Sequence, residues 1–236
     1  MIEKVSNSKE PQFFTQSDLL YLSKWANKVY DKNNSEHIVA KNYLMKTIWV
    51  KTEYWASQLV KKFTEFKISC PYVWMERGWD DSSGKNKQVV RFKAYTWAKV
   101  YKKCDENRDI FFTFGISSNY KALIYKLDYH FNKGSKLSFN QKELCKQLIP
   151  EELTRILIPF DLIVKYNWSK LFKDTETFIH NNTRVYDEII QSVWSGKIKV
   201  FKLKNRLIKR ENNYEGLTEI PPRKFKFQGS EVYFGE

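Results

Sequence analysis

From Val90 to Tyr101, apolar or small residues alternate one for one with cations and aromatic rings. Successive side chains of an extended strand point to opposite faces, so a period of two over this length specifies a strand with two different surfaces. One surface collects Val90, Phe92, Ala94, Thr96, Ala98 and Val100, a set suited to a core. The other collects Arg91, Lys93, Tyr95, Trp97, Lys99 and Tyr101. Cations attract phosphates and flat rings stack on bases, so this second surface has the composition of a nucleic-acid contact. The alternative is a strand buried on both sides, with Tyr95 and Trp97 under a helix and the cations reaching out along their stems.

The charge of the whole chain supports the first reading. The formal net charge is +14 and the pI about 9.5, within the range of a nucleic-acid footprint. The excess is local: residues 81–150 hold 14 Lys/Arg against 6 Asp/Glu, whereas 1–80 hold 12 against 9 and 151–236 hold 15 against 12. Aromatic residues make up 17% of the chain, which excludes a disordered polypeptide. No apolar run approaches membrane-spanning length and no secretory h-region opens the chain. Cys70, Cys104 and Cys145 lie far apart without metal-ligand spacing, so neither a disulfide framework nor a zinc site is expected, and a reducing cytoplasm fits.

The pattern along the chain predicts an α+β fold: an antiparallel twisted sheet of about four to six strands flanked by N-terminal and C-terminal helices. Thr15 or Ser17 caps a helix running to about Tyr30, and Ser35 caps a long one running to about Phe66. Strands follow over 67–77, over the alternating run 89–102, over Asp109–Ser117 and over Lys121–Phe131, forming a meander. Asn140–Leu148 is a short helix. A further helix starts at Asn167 or Ser169, with a break expected at His180–Thr183, and stops at Ser195-Gly196. Three regions are expected: an N-terminal arm and helix over 1–34, a recognition domain over 35–196, and a basic tail and linker over 197–236. In that tail, Lys197–Arg210 carries seven cations and no acid.

Catalytic motifs are not apparent. The three histidines stand alone, and the chain has no H-E-x-x-H, G-x-S-x-G, P-loop or G-x-G-x-x-G sequence. A metal-dependent nuclease remains as an alternative, with Glu65, Lys67, Glu76 and Asp80 as its groups; a module binding an acidic protein is another. The leading expectation is a binding domain with no cofactor, no metal and no catalytic residue of its own. Its phosphate contacts are assigned to Arg91, Lys93, Lys99, Lys85 and Lys87. Its base-reading residues are assigned to Tyr72, Trp74, Trp79, Tyr95, Trp97 and Asp80, since an extruded base needs rings as walls and a polar group at its edge.

The order of elements carries a resemblance. Two helices precede the Pro-aromatic segment Pro71-Tyr72-Val73-Trp74. A hairpin and the strand Phe111-Phe112-Thr113-Phe114-Gly115-Ile116-Ser117 follow, then helices and a Pro221-Pro222 linker. Over roughly residues 35–195 this resembles the N-terminal DNA-recognition domain of McrB-type modification-dependent restriction enzymes, and the N-terminal modules of related restriction endonucleases. The resemblance implies duplex DNA, methylated or otherwise modified, as the partner, a base flipped into an aromatic pocket containing Tyr72, and a nuclease or motor on another domain or subunit. It implies a module of a longer defence enzyme. The chain departs from that family in its long acidic-basic hairpin loop and its cation-rich second strand.

Overall fold

The computed structural model describes residues 9–69, 74–80, 87–103, 109–131, 134–149 and 155–195, and the backbone of 223–227 and 230–234. The fold is α+β: the described residues form five helices and a five-stranded antiparallel sheet, with separate two-stranded hairpins.

The chain opens with α1 (Gln16–Trp25). The Thr15 hydroxyl accepts the Asp18 N–H while the Asp18 carboxylate accepts the Thr15 N–H, a reciprocal cap that satisfies two helix-end donors. Asn27, at φ 65°, turns the chain out of the helix. A second helical rod follows: α2 (Ser35–Tyr43), a π-helical turn over Leu44–Trp49, and α3 (Val50–Lys62). Asn34, not Ser35, caps it. The wider π turn brings Leu44, Ile48 and Trp49 all inward and resets the stripe that continues through Trp55, Ala56 and Leu59. Val39, which the helical spacing puts on that stripe, is 63% exposed.

The main sheet has the order β1-β4-β5-β6-β7, with β1 (Phe66–Ser69), β4 (Tyr95–Lys102), β5 (Ile110–Ser117), β6 (Ala122–Tyr129) and β7 (Arg155–Pro159). Between β1 and β4 the chain makes the hairpin β2 (Met75–Asp80) and β3 (Lys87–Phe92). The expected strand over 89–102 is thus two strands in two sheets. The break has a specific cause. Residues 27–30 occupy the free edge of β3, through the Asn27 and Tyr30 amides donating to Phe92 and Val90 and the Phe92 amide to Lys28. The Ala94 carbonyl then accepts from the Ser118 amide and hydroxyl at the turn into β4. The alternation survives the break: Phe92, Ala94, Thr96, Ala98 and Val100 are all buried. The expected strand over 67–77 divides in the same way, its first part pairing with β4 and its last with β3.

Two helices cover one side of the sheet, α3 and α5 (Trp168–Ser195), while α4 (Phe139–Leu148) packs on α5. On this side Trp55 meets Phe114 and Tyr125, Phe112 stacks on Tyr186, and Phe178 meets both Phe112 and Tyr125. α1 joins the same core through Leu19, Leu22 and Trp25. The long α5 runs unbroken through His180–Thr183, because Asn182 Nδ2 and Thr183 Oγ1 donate to carbonyls four residues back, at 2.6 and 2.8 Å, instead of competing for the helix bonds. A last hairpin, β8 (Arg223–Phe227) and β9 (Ser230–Phe234), stands where the sequence reads as linker. The basic run Lys197–Arg210 lies outside the described residues.

Candidate nucleic-acid interface

The backbone register assembles the side of the sheet away from α3 and α5 into cross-strand rows. One row is Tyr95, Ser117, Ala122 and Pro159; the next is Trp97, Gly115, Ile124 and Leu157. The third is Ser69, Lys99, Thr113, Lys126 and Arg155; beyond it Lys67 pairs with Tyr101, and Phe111 with Asp128. Rings and cations from all five strands therefore share one surface, and residues far apart in sequence become neighbours about 5 Å apart.

The cations on this surface lie over rings. Lys126 Nζ is 4.8 Å from the Trp97 ring centre, Lys99 Nζ 4.0 Å from that of Phe111, and Lys93 Nζ 5.1 Å from that of Tyr95. Arg155 lies 4.5 Å over Tyr120, and Tyr95 and Trp97 meet edge to face at 5.2 Å. The contact between Lys126 on β6 and Trp97 on β4 crosses all of β5. The residue of β5 opposite Trp97 is Gly115, which carries no side chain.

Burial governs the electrostatics. It lowers the Lys93 pKa against the pull of Glu76. It lowers that of Lys99 too, against Asp128 and Asp109 and with Lys93 adding to the effect. Burial also raises the Tyr95 hydroxyl and the Asp128 carboxyl, the latter in spite of its ion pair with Lys126 at 3.0 Å. These ammonium groups are poorly hydrated, so an incoming anion regains for them what burial removed. Two polar atoms in the same region have no hydrogen-bond partner: Thr113 Oγ1 and Trp97 Nε1.

The residues singled out from sequence divide into groups. Tyr95, Trp97 and Lys99 share the rows just described, with Lys93 beside them at the entry to β4. Arg91 and Trp74 lie at the root of the β2–β3 hairpin. Arg91 pairs in register with Glu76 and donates from Nη1 to the Asn27 carbonyl at 3.2 Å. Trp74 packs 4.7 Å from Tyr30 and 5.3 Å from Phe92, with Lys41 Nζ 5.2 Å above it, so its ring braces the hairpin against α2. Trp79 and Asp80 pair in register with Gln88 and Lys87 on that hairpin; their side chains, and that of Lys87, are not described. Tyr72 and Lys85 lie outside the described residues. Sequence reasoning missed Thr113, Lys126, Asp128 and Arg155. The signal available for two of them was the second face of β6, opposite the stripe Leu123, Tyr125, Leu127 and Tyr129.

Of the alternative nuclease set, Lys67 is exposed on β1, Glu65 precedes that strand, and Glu76 sits on the hairpin. Among the described residues no three His, Cys, Asp or Glu side chains come together to hold a metal. His130 Nδ1 lies 3.2 Å from Asp109, which also accepts the Lys136 amide, and His37 Nδ1 accepts the Asp31 amide, so both rings hold loops in place. No described helix is long and apolar enough to cross a membrane.

No family model, curated protein or solved structure matches this chain.

Proposed function

We propose that this chain is a nucleic-acid recognition module and that the sheet face built from Lys93, Tyr95, Trp97, Lys99 and Lys126 is its contact surface. The observation that carries this reading is the placement of poorly hydrated cations over aromatic rings, across several strands, on the side that α3 and α5 leave alone. A face needing only solubility extends its charges into water and has no use for the rings. A recognition face uses cations for the backbone and rings for the bases. The resemblance to McrB-type recognition domains makes DNA of a restriction or defence system, with a modified or short specific site, the proposed target. Cleavage or translocation then belongs to a partner domain or subunit.

The test is a binding panel of single strands and of unmodified, methylated and hydroxymethylated duplexes, with Tyr95→Ala and Trp97→Ala variants whose folding is verified by circular dichroism. Each base–ring stack is worth about 1–3 kcal/mol, so removing the ring that stacks weakens the preferred target about 10- to 100-fold. Binding to other sequences, which rests on phosphates, changes far less. Equal affinity of both folded variants and the wild type for every target would remove the sheet face from consideration.

A further inference from the structure

The third cross-strand row concentrates hydrogen-bond donors around a group that has no acceptor of its own. Thr113 is wholly buried, at 0% exposure, and its hydroxyl has no partner. Lys99 on β4 flanks it on one side and Lys126 on β6 on the other, and the row continues to Arg155 on β7. In the adjoining row Trp97 Nε1 is a second buried donor without a partner. Unpaired buried polar groups are costly, and two as close neighbours on one sheet face call for a ligand or another explanation.

The charges decide what kind of ligand. Among the described residues, Lys99, Lys126 and Arg155 share this face with the Asp128 carboxylate, which pairs with Lys126 at 3.0 Å, and Asp109 and Lys93 also act on Lys99. Burial depresses the Lys99 pKa, so a bound anion would favour its charged form. Donors from two neighbouring strands, with a third strand contributing Lys126, suit a group with several acceptor oxygens arranged tetrahedrally better than a planar carboxylate with two.

We infer that Thr113, Lys99, Lys126 and the Trp97 indole form a subsite for a single phosphate group. For its biological ligand this rests on the nucleic-acid reading above, since the phosphate can belong to a nucleic-acid strand or to a free nucleotide.

The experiment uses the full chain with three probes, inorganic phosphate, a nucleoside monophosphate and an oligonucleotide, followed by 31P NMR and thermal melting. The variants are Thr113→Val, which keeps the side-chain shape, and Lys126→Met. Thr113→Val is expected to raise the melting temperature by removing an unpaired hydroxyl, and to weaken phosphate binding about tenfold. That opposite movement is one that a merely structural threonine would not produce. Saturation by inorganic phosphate or the monophosphate identifies a free ligand, and binding of the oligonucleotide alone identifies a strand phosphate; either supports the subsite if Thr113→Val weakens it. Should Lys126→Met fail to fold, Thr113→Val decides alone. Wild-type affinity of Thr113→Val for all three probes overturns the subsite, and the nucleic-acid reading then survives if the oligonucleotide still binds. Phosphate binding that Thr113→Val weakens, in a protein that binds no oligonucleotide, keeps the subsite and removes the nucleic-acid reading.

Discussion

Gly115→Ala is expected to lower the melting temperature by about 6–12 °C, the shift corresponding to a loss of about 3 kcal/mol in a chain of this size. A Cβ at this position would stand 2.9 Å from the Thr96 carbonyl carbon, closer still to its oxygen, and 3.3 Å from Trp97 Cα. All three are backbone atoms of the neighbouring strand, so no side chain can swing aside and β4 itself must move. Gly115 sits at the middle of β5, flanked by β4 and β6, and the displacement would spread through the sheet. It would also shift Trp97, whose Cα is among these atoms, relative to Lys126. A thermal melt of the purified variant measures the effect. A melting temperature within about 2 °C of wild type would mean that β4 and β5 do not approach this closely.

The second large effect is expected at the ion pair between Lys51 on α3 and Asp18 on α1. Lys51 Nζ lies 2.7 Å from Asp18 Oδ2 and 3.2 Å from the Phe13 carbonyl, and the two residues are 3% and 1% exposed. The Asp18 carboxylate also caps α1 by accepting the Thr15 amide at 2.7 Å. One pair therefore fixes the N-terminal segment, the first helix and the central helical rod. Lys51→Met strands a buried carboxylate, and removing one partner of such a pair costs about 3–5 kcal/mol. The melting temperature should fall by about 6–20 °C. Adding Asp18→Asn removes the stranded charge while keeping an oxygen for the cap, and should restore part of the loss. A double variant no more stable than Lys51→Met would show that lost packing dominates.

The parts of this fold that could be read from the sequence are those with a regular period. The alternation from Val90 to Tyr101 by itself puts Tyr95, Trp97 and Lys99 opposite the core face, and β5 and β6 are legible as apolar runs between turns. What escaped was partnership. Nothing local to Phe92 or Ala94 indicates that residues 27–30 will occupy the edge of β3, so the alternating run reads as one strand. β7 is five residues ending in Pro159, a signature too short to separate from a loop, and it becomes a strand through its pairing with β6. At His180–Thr183 the polar residues suggested a break, but Asn182 and Thr183 bond back along α5. The candidate site was legible to the same degree. Its rings and the cations of β4 lie on one strand. Thr113, Lys126 and Arg155 are single polar residues in mainly apolar strands, and only the register makes them neighbours of Lys99.

The claim at the centre of this account is that the face of the sheet opposite α3 and α5 neutralises nucleic-acid phosphates. The direct measurement is the dependence of oligonucleotide affinity on salt, for the wild type, for Lys93→Gln with Lys99→Gln, and for Lys61→Gln with Lys165→Gln. The last pair lies on α3 and on the 3-10 turn after β7, and both lysines are exposed. Each lost phosphate contact flattens the plot of log affinity against log salt by about one unit. The first pair is expected to flatten it by about two units, and the second pair to leave it unchanged. Equal slopes for all three proteins would contradict the account.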